Sequence, residues 1–235
     1  MSALTWLAPG DPFPPSQQAL DDPDGLLAAG GDLSCSTLLA AYRRGIFPWY
    51  SDGQPILWWT PDPRLVLYPD RFHCSRRLQR KLRSNHWRFS LNQNFADVMA
   101  ACADTPRHGH TGTWITREMR AAYQQLHTLG HAHSLEVWRD ERLVGGIYGV
   151  QVGRVFFGES MFSHETDTSK AAMATLCRLH ERLQFDLLDC QVESEHLLSL
   201  GAESLPRARF EETLALLTAS QAPPWPKWSA DQWGF

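Results

Sequence analysis

Two short stretches carry the side chains best suited to chemistry. Gly158-Glu159-Ser160-Met161-Phe162-Ser163 sets one acid in an apolar frame at the end of a predicted strand. Burying that carboxylate without partners is costly, so what surrounds it matters. Asp189-Cys190-Gln191 lies on a later predicted strand. A two-residue period there puts Asp189 and Gln191 on one side of the sheet and Cys190 on the other. If the two strands are neighbours, Glu159, Asp189 and Gln191 converge at one end of the sheet, either as a satisfied polar network or as catalytic groups. Other chemistries fare worse. Ser160 is not in a G-x-S-x-G turn, Cys190 has no recognisable His partner, and no Gly-rich phosphate loop is present. His108-x-His110 and His131-x-His133 lack a Cys or acid at ligand spacing, so no metal is expected.

Anion binding is the second chemistry on offer. Arg71 to Arg88 holds seven of the 22 cations and no acid, which leaves 15 cations against 26 acids elsewhere. Ser75 can cap a helix SRRLQRKLR on which Arg76, Arg80 and Arg83 share one face and Leu78 and Leu82 another. That face is either plainly solvated or a surface that tracks phosphates, with Lys81 beside it. No base-reading motif accompanies it, which argues against sequence-specific DNA recognition. Ten tryptophans are present. Most read as core, but Trp49 and Trp114 sit among Pro and polar residues and would make flat stacking surfaces for single-stranded nucleotides.

The elements that must position these groups are partly legible. Residues 1–60 are dense in turn formers around one helix, Ser36 to Arg44, stopped by Gly45. Short strands are expected at 64–68 and 88–92, and helices at 95–103 and from Thr116 to Gly130. Three strands follow, 133–139, 143–152 and 154–158, as an antiparallel meander. A helix from Thr168 to Leu183, a strand over 185–192 and a last helix over 210–219 complete the order. This implies an α+β fold: a small loop-rich N-terminal domain over 1–62, and a domain over 63–235 with a mostly antiparallel sheet. The Trp/Pro tail from Pro223 to Phe235 has no period and either packs on the surface or is disordered.

Composition sets outer bounds. A chain of 235 residues, 43% hydrophobic and 20% charged with a net charge of −4, is neither disordered nor a wholly basic coat protein. No apolar run approaches the roughly 18 residues of a membrane span. The N-terminus lacks the pattern of a signal peptide. Five cysteines without a CxxC pair fit reduced thiols in the cytosol.

Longer stretches carry a resemblance. GLLAAGGDL (25–33), LLAAYRRGIFPWY (38–50), WWTPDPR (58–64), TWIT (113–116), HAHSLEVW (131–138), LVGGIYGV (143–150), FFGESMFS (156–163), DCQ (189–191) and SLGAESLPR (199–207) occur in that order. The chain resembles the bacterial leucyl/phenylalanyl-tRNA–protein transferases. The resemblance implies a C-terminal domain like the GNAT acyltransferases. It also implies transfer of Leu or Phe from tRNA to the α-amine of proteins beginning with Arg or Lys, creating a degradation signal. No cofactor, metal or membrane is implied, and a cytoplasmic monomer is expected. By the same resemblance Gln191 hydrogen-bonds the attacking amine, Asp189 polarises it and Glu159 contacts the same centre. Trp49 and Trp114 would stack on the terminal adenosine. Ile147, Met161, Met173, Leu176 and Leu188 would form the donor pocket, and Arg76, Arg80, Lys81 and Arg83 would hold tRNA phosphates. The rivals are an acetyl-CoA-dependent acetyltransferase, whose R/Q-x-x-G-x-G/A loop is missing before the long helix, and a non-enzymatic RNA-binding protein.

Overall fold

The computed structural model describes residues 4–84, 86–105, 114–226 and 228–229. The N-terminal stretch holds β1 (Thr5–Leu7), β2 (Leu26–Gly30), α1 (Cys35–Tyr42), β3 (Phe47–Pro48) and β4 (Leu57–Trp59). The four strands form a sheet in the order β1-β2-β4-β3. Loops were expected around α1, and the difference has a simple cause: strands this short, broken by Pro and Gly, show no two-residue period. The helix itself starts where Ser34 Oγ accepts from the Thr37 N–H at 3.3 Å. It stops at Gly45, whose φ of +70° favours glycine and where a Cβ would lie 2.6 Å from the Phe210 ring.

The remaining elements are β5 (Arg64–Leu67), α2 (Arg76–Arg83), β6 (Arg88–Leu91), α3 (Phe95–Asp104), α4 (Arg117–Thr128), β7 (Ala132–Arg139), β8 (Arg142–Val152) and β9 (Val155–Ser163). Then come α5 (Thr168–Arg178), α6 (His180–Leu183), β10 (Leu187–Gln191), α7 (Glu195–Ser199), β11 (Glu203–Leu205), α8 (Arg207–Leu217) and β12 (Trp228–Ser229). Eight strands pair in the order β11-β5-β10-β9-β8-β7-β6-β12. All these neighbours are antiparallel except β9 and β10, which run parallel. The α+β class with a mostly antiparallel sheet is therefore observed, and the meander is β7-β8-β9. The long helix expected over 168–183 is divided at Leu179 into α5 and α6, ending at Gln184 in a left-handed conformation.

Alternation along the strands loads both faces of the sheet. Tyr148, Phe157 and Leu187 face one core, shared with α1, α3, α4 and α8, while Ile147, Phe156 and Leu188 face another, shared with α2 and α5. Each face is apolar because a helical layer excludes water from it. Among the described residues, no helix is long and apolar enough to cross a membrane.

The tail packs rather than trailing away. The Trp225 ring stacks on His133 at 4.4 Å between centroids and on Phe156 at 5.3 Å, and its Nε1–H donates to Gln151 Oε1. Beyond it β12 pairs with β6. Trp225→Ala should therefore cost about 3–5 kcal/mol of stability, as for other buried large-to-small changes. Urea unfolding measures this, and a loss below about 1 kcal/mol would mean the tail is not part of the core.

Candidate active site

β9 and β10 pair in parallel only as far as Phe157 and Asp189. Beyond that point they part, β9 staying with β8 and β10 with β5. A cavity of about 430 Å³ opens where they diverge. Gly158 to Met161 line it from β9, and Leu188, Cys190 and Gln191 from β10.

Two irregularities aim the polar groups. Tyr148 pairs with Ser160 while Gly149 pairs with Gly158, so Glu159 is the extra residue of a β-bulge. Gly149 is required opposite it, since a Cβ there would lie 2.2 Å from the Phe157 carbonyl oxygen. On β10 the register shifts between Asp189 and Gln191, and Gln191 has a φ of +65°. The positive φ breaks the alternation, so Cys190 and Gln191 both reach the cavity. The expectation that Asp189 and Gln191 share a side is thus overturned by a backbone conformation that residue types do not reveal.

Asp189 lies behind the wall instead. It is fully buried and takes two charge-assisted hydrogen bonds from Arg64, Nε to Oδ1 at 2.8 Å and Nη2 to Oδ2 at 2.6 Å. It is not among the residues that line the cavity, so a direct contact with an amine there, as expected from the sequence, is not what its position offers. Its link to the site is the Gln191 N–H, which donates to Asp189 Oδ1 at 2.9 Å and helps hold the unusual φ.

Glu159 is buried at the cavity wall. Its Oε1 lies 2.8 Å from the Tyr42 hydroxyl and accepts from Gln191 Nε2 at 3.0 Å, and its Oε2 lies 2.9 Å from the Tyr123 hydroxyl. The two tyrosines also bond each other. Burial dominates the titration: it pushes the carboxyl up to about 7 against the tyrosine hydrogen bonds. Burial also raises the Cys190 thiol well above its usual range, which disfavours the thiolate a nucleophile would need.

Around these groups, Ile147, Met161, Met173 and Leu188 line the cavity, and Trp49 and Trp114 stand at its wall. Trp49 is 43% exposed and packs edge-on to Trp59 at 5.6 Å. Leu176 is not at the cavity; it is fully enclosed in the core beneath α5, because one turn of helix carries it past the opening. On α2, Arg76, Arg80 and Arg83 are exposed, with Leu78 and Leu82 buried beneath. Lys81 departs from the expected phosphate set: it is half-buried and its Nζ donates to Asp167 at 2.7 Å. Of the histidines, His108 and His110 lie outside the described residues, and His133 is buried with its ring facing Asn92 and Trp225. Arg64, Tyr42, Tyr123, Phe47 and Leu197 were not singled out from sequence. Only Arg64 had a signal, as a charged residue opening an otherwise apolar strand.

Comparison with known proteins decides the family. Residues 66–215 match the family described as leucyl/phenylalanyl-tRNA protein transferase, and residues 31–62 match its N-terminal domain. The chain belongs to the leucyl/phenylalanyl-tRNA protein transferase family. A family member from Aromatoleum aromaticum is 56% identical over 97% of this chain and 96% of its own. One from Xanthomonas euvesicatoria pv. vesicatoria is 58% identical over 93% of this chain and 87% of its own. Both bear the name leucyl/phenylalanyl-tRNA–protein transferase. Among solved structures, a GCN5-related N-acetyltransferase from Kribbella flavida is 9% identical, with a TM-score of 0.39 over 72% of this chain and 59% of that one.

The buried Glu159 gives this family member a pH signature. A carboxyl raised on folding adds stability that is complete below its ordinary value near 4.5 and is lost as pH rises through about 7. The full swing is on the order of 3 kcal/mol. Stability of the parent minus that of Glu159→Gln, from urea unfolding at each pH, should fall across that window. A constant difference would show that Glu159 is ionised throughout. His133, lowered to about 3 by burial, works in the opposite sense and cancels in the difference.

Proposed function

We propose that the chain transfers leucine or phenylalanine, and methionine more weakly, from charged tRNA to the α-amino group of proteins beginning with Arg or Lys. The observation that carries this reading is a single cavity shared by two tryptophans, an apolar wall and the Gln191 carboxamide. The wall of Ile147, Met161, Met173 and Leu188 suits a Leu or Phe side chain, and flexible thioethers let one space hold either shape. Trp49 and Trp114 supply faces for the terminal adenosine. The Gln191 carboxamide oxygen would accept a hydrogen bond from the incoming amine. The amine nitrogen then bonds to the ester carbonyl carbon, the ester C–O bond breaks, and the ribose 3′-oxygen leaves with a proton. The ester is already activated, so the reaction calls for no cofactor.

Under this reading Arg76, Arg80 and Arg83 hold tRNA phosphates, the product's new N-terminus marks it for degradation, and the protein works as a cytoplasmic monomer. The division after residue 62 separates the smaller N-terminal unit from the catalytic one. An acetyl-CoA enzyme is the weaker reading. The segment before α5 lacks the glycine-rich phosphate loop, and Asp167 at the start of that helix puts a carboxylate, paired with Lys81, where a pyrophosphate would need free donors.

The direct test is incubation with tRNA carrying labelled leucine and a peptide starting with Arg. Label should pass to the peptide, and its failure to do so would overturn the transfer reading. Gln191→Ala should lower kcat by about 100-fold with little change in tRNA affinity, since orientation is lost and phosphate contacts are not. Wild-type turnover would remove Gln191 from the mechanism. Reversing charge at Arg76 and Arg80 should instead raise the KM for tRNA and make the salt dependence shallower by about one unit of slope per lost contact. An unchanged slope would mean that α2 is an ordinary solvated helix.

A further inference from the structure

Three oxygen–oxygen contacts join Glu159, Tyr42 and Tyr123 into a closed ring: Tyr42 to Oε1, Tyr123 to Oε2, and hydroxyl to hydroxyl. Each contact needs one hydrogen, because two oxygens bearing only lone pairs repel at this range. The tyrosines bring two hydrogens. The third must sit on the carboxyl, because a tyrosine hydroxyl has only one hydrogen to give.

One arrangement of those hydrogens also satisfies Gln191. If Oε2–H donates to Tyr123, Tyr123 donates to Tyr42 and Tyr42 donates to Oε1, then Oε1 is the carbonyl oxygen. It is free to accept from Gln191 Nε2 as well, at 3.0 Å. A carboxamide whose NH2 is tied down in this way must present its oxygen elsewhere, and Gln191 lines the cavity. We propose that Tyr42 and Tyr123 are positioning residues: the closed ring they form with Glu159 fixes its carboxyl and, through it, aims the Gln191 oxygen at the incoming amine. The charged groups that act on Glu159, Asp189 and Arg64, are paired with each other and largely cancel. Burial favours the neutral form and outweighs the two tyrosine hydroxyls, which by themselves favour the anion. Tyr42 comes from α1 and Tyr123 from α4, so two elements that carry none of the expected site residues complete the site.

The proposal rests on the transfer reading, so its test has one arm that needs no transfer. Difference infrared spectra of the parent protein against Glu159→Gln, at mildly acidic pH, should show a protonated-carboxyl C=O band present only in the parent. In the transfer assay Tyr42→Phe and Tyr123→Phe, which remove one oxygen each, should lower kcat by about 10-fold while the KM for tRNA stays within about twofold. Glu159→Ala should lose about 100-fold, and adding Tyr123→Phe to it should lose nothing further. Glu159→Gln, a neutral donor and acceptor of the same shape, should recover most of what Glu159→Ala loses. A missing band overturns the neutral ring even if transfer is normal. Glu159→Gln as inactive as Glu159→Ala, or a Tyr123→Phe loss that persists without Glu159, overturns the positioning role. A band without any transfer in the parent overturns the functional reading and leaves the ring standing.

Discussion

A carboxylate enclosed as completely as Asp189 is tolerated only with a cation fixed against it, and much of this fold is arranged to hold that cation. Arg64 meets it through two nitrogens at 2.6 and 2.8 Å, a flat two-point contact that the single ammonium of lysine would not reproduce. The guanidinium carbon then lies 4.8 Å from the Phe47 ring centroid and 4.9 Å from that of Phe210. One ion pair thus ties β10 and β5 to the N-terminal sheet and to α8. Removing either partner would leave an uncompensated charge, typically worth 3–5 kcal/mol. The same carboxylate accepts the Gln191 N–H, so a pair buried for structural reasons also sets the backbone of the cavity wall.

The site arises where regular structure stops. Apolar periodicity and capping residues locate the meander, α4, α5 and the strand bearing Asp189, and they bring Glu159 and Gln191 together only on the condition that the two strands are neighbours, which the structure supplies. What they miss is each departure from the period. A bulge at Glu159 depends on Gly149 across the strand, and the turn at Gln191 depends on a φ that glutamine rarely adopts. Neither follows from residue type along one strand. Leu176 and Lys81 were placed by the resemblance alone, which does not say where this cavity ends or which cation meets an acid from another element. In the same way Trp225 has no period to betray it, because its partners His133, Phe156 and Phe185 lie far away in the sequence.

Charge is divided between the surface and the site. The seven cations between residues 71 and 88 give an otherwise acidic protein one basic region, yet Lys81 is used internally against Asp167. Four arginines, Arg76, Arg77, Arg80 and Arg83, remain exposed on α2, Arg77 lying 3.7 Å from Asp167, and the underside of the helix is fixed by Leu78 and Leu82. Contacts of that kind read a backbone and not a base. Under the proposed function, discrimination among donors falls to the apolar cavity, where one methylene is worth only about 1–3 kcal/mol.

That cavity is also electrically quiet, and the chemistry explains why it should be. An α-amine arrives mostly as ammonium and attacks an ester only after losing its proton. A bare carboxylate beside it would stabilise the ammonium and raise its pKa, which suppresses the nucleophile. Here the two acids nearest the wall are kept from doing so by different means. Asp189 is neutralised by Arg64 behind the strand, and Glu159 is neutral when it carries the third hydrogen of its ring. Under the proposed function, what then faces the amine is the carboxamide of Gln191, which can accept a hydrogen bond without favouring the charged form as an anion would. Under the proposed function, a weak base at this position follows from the requirement that the amine stay neutral.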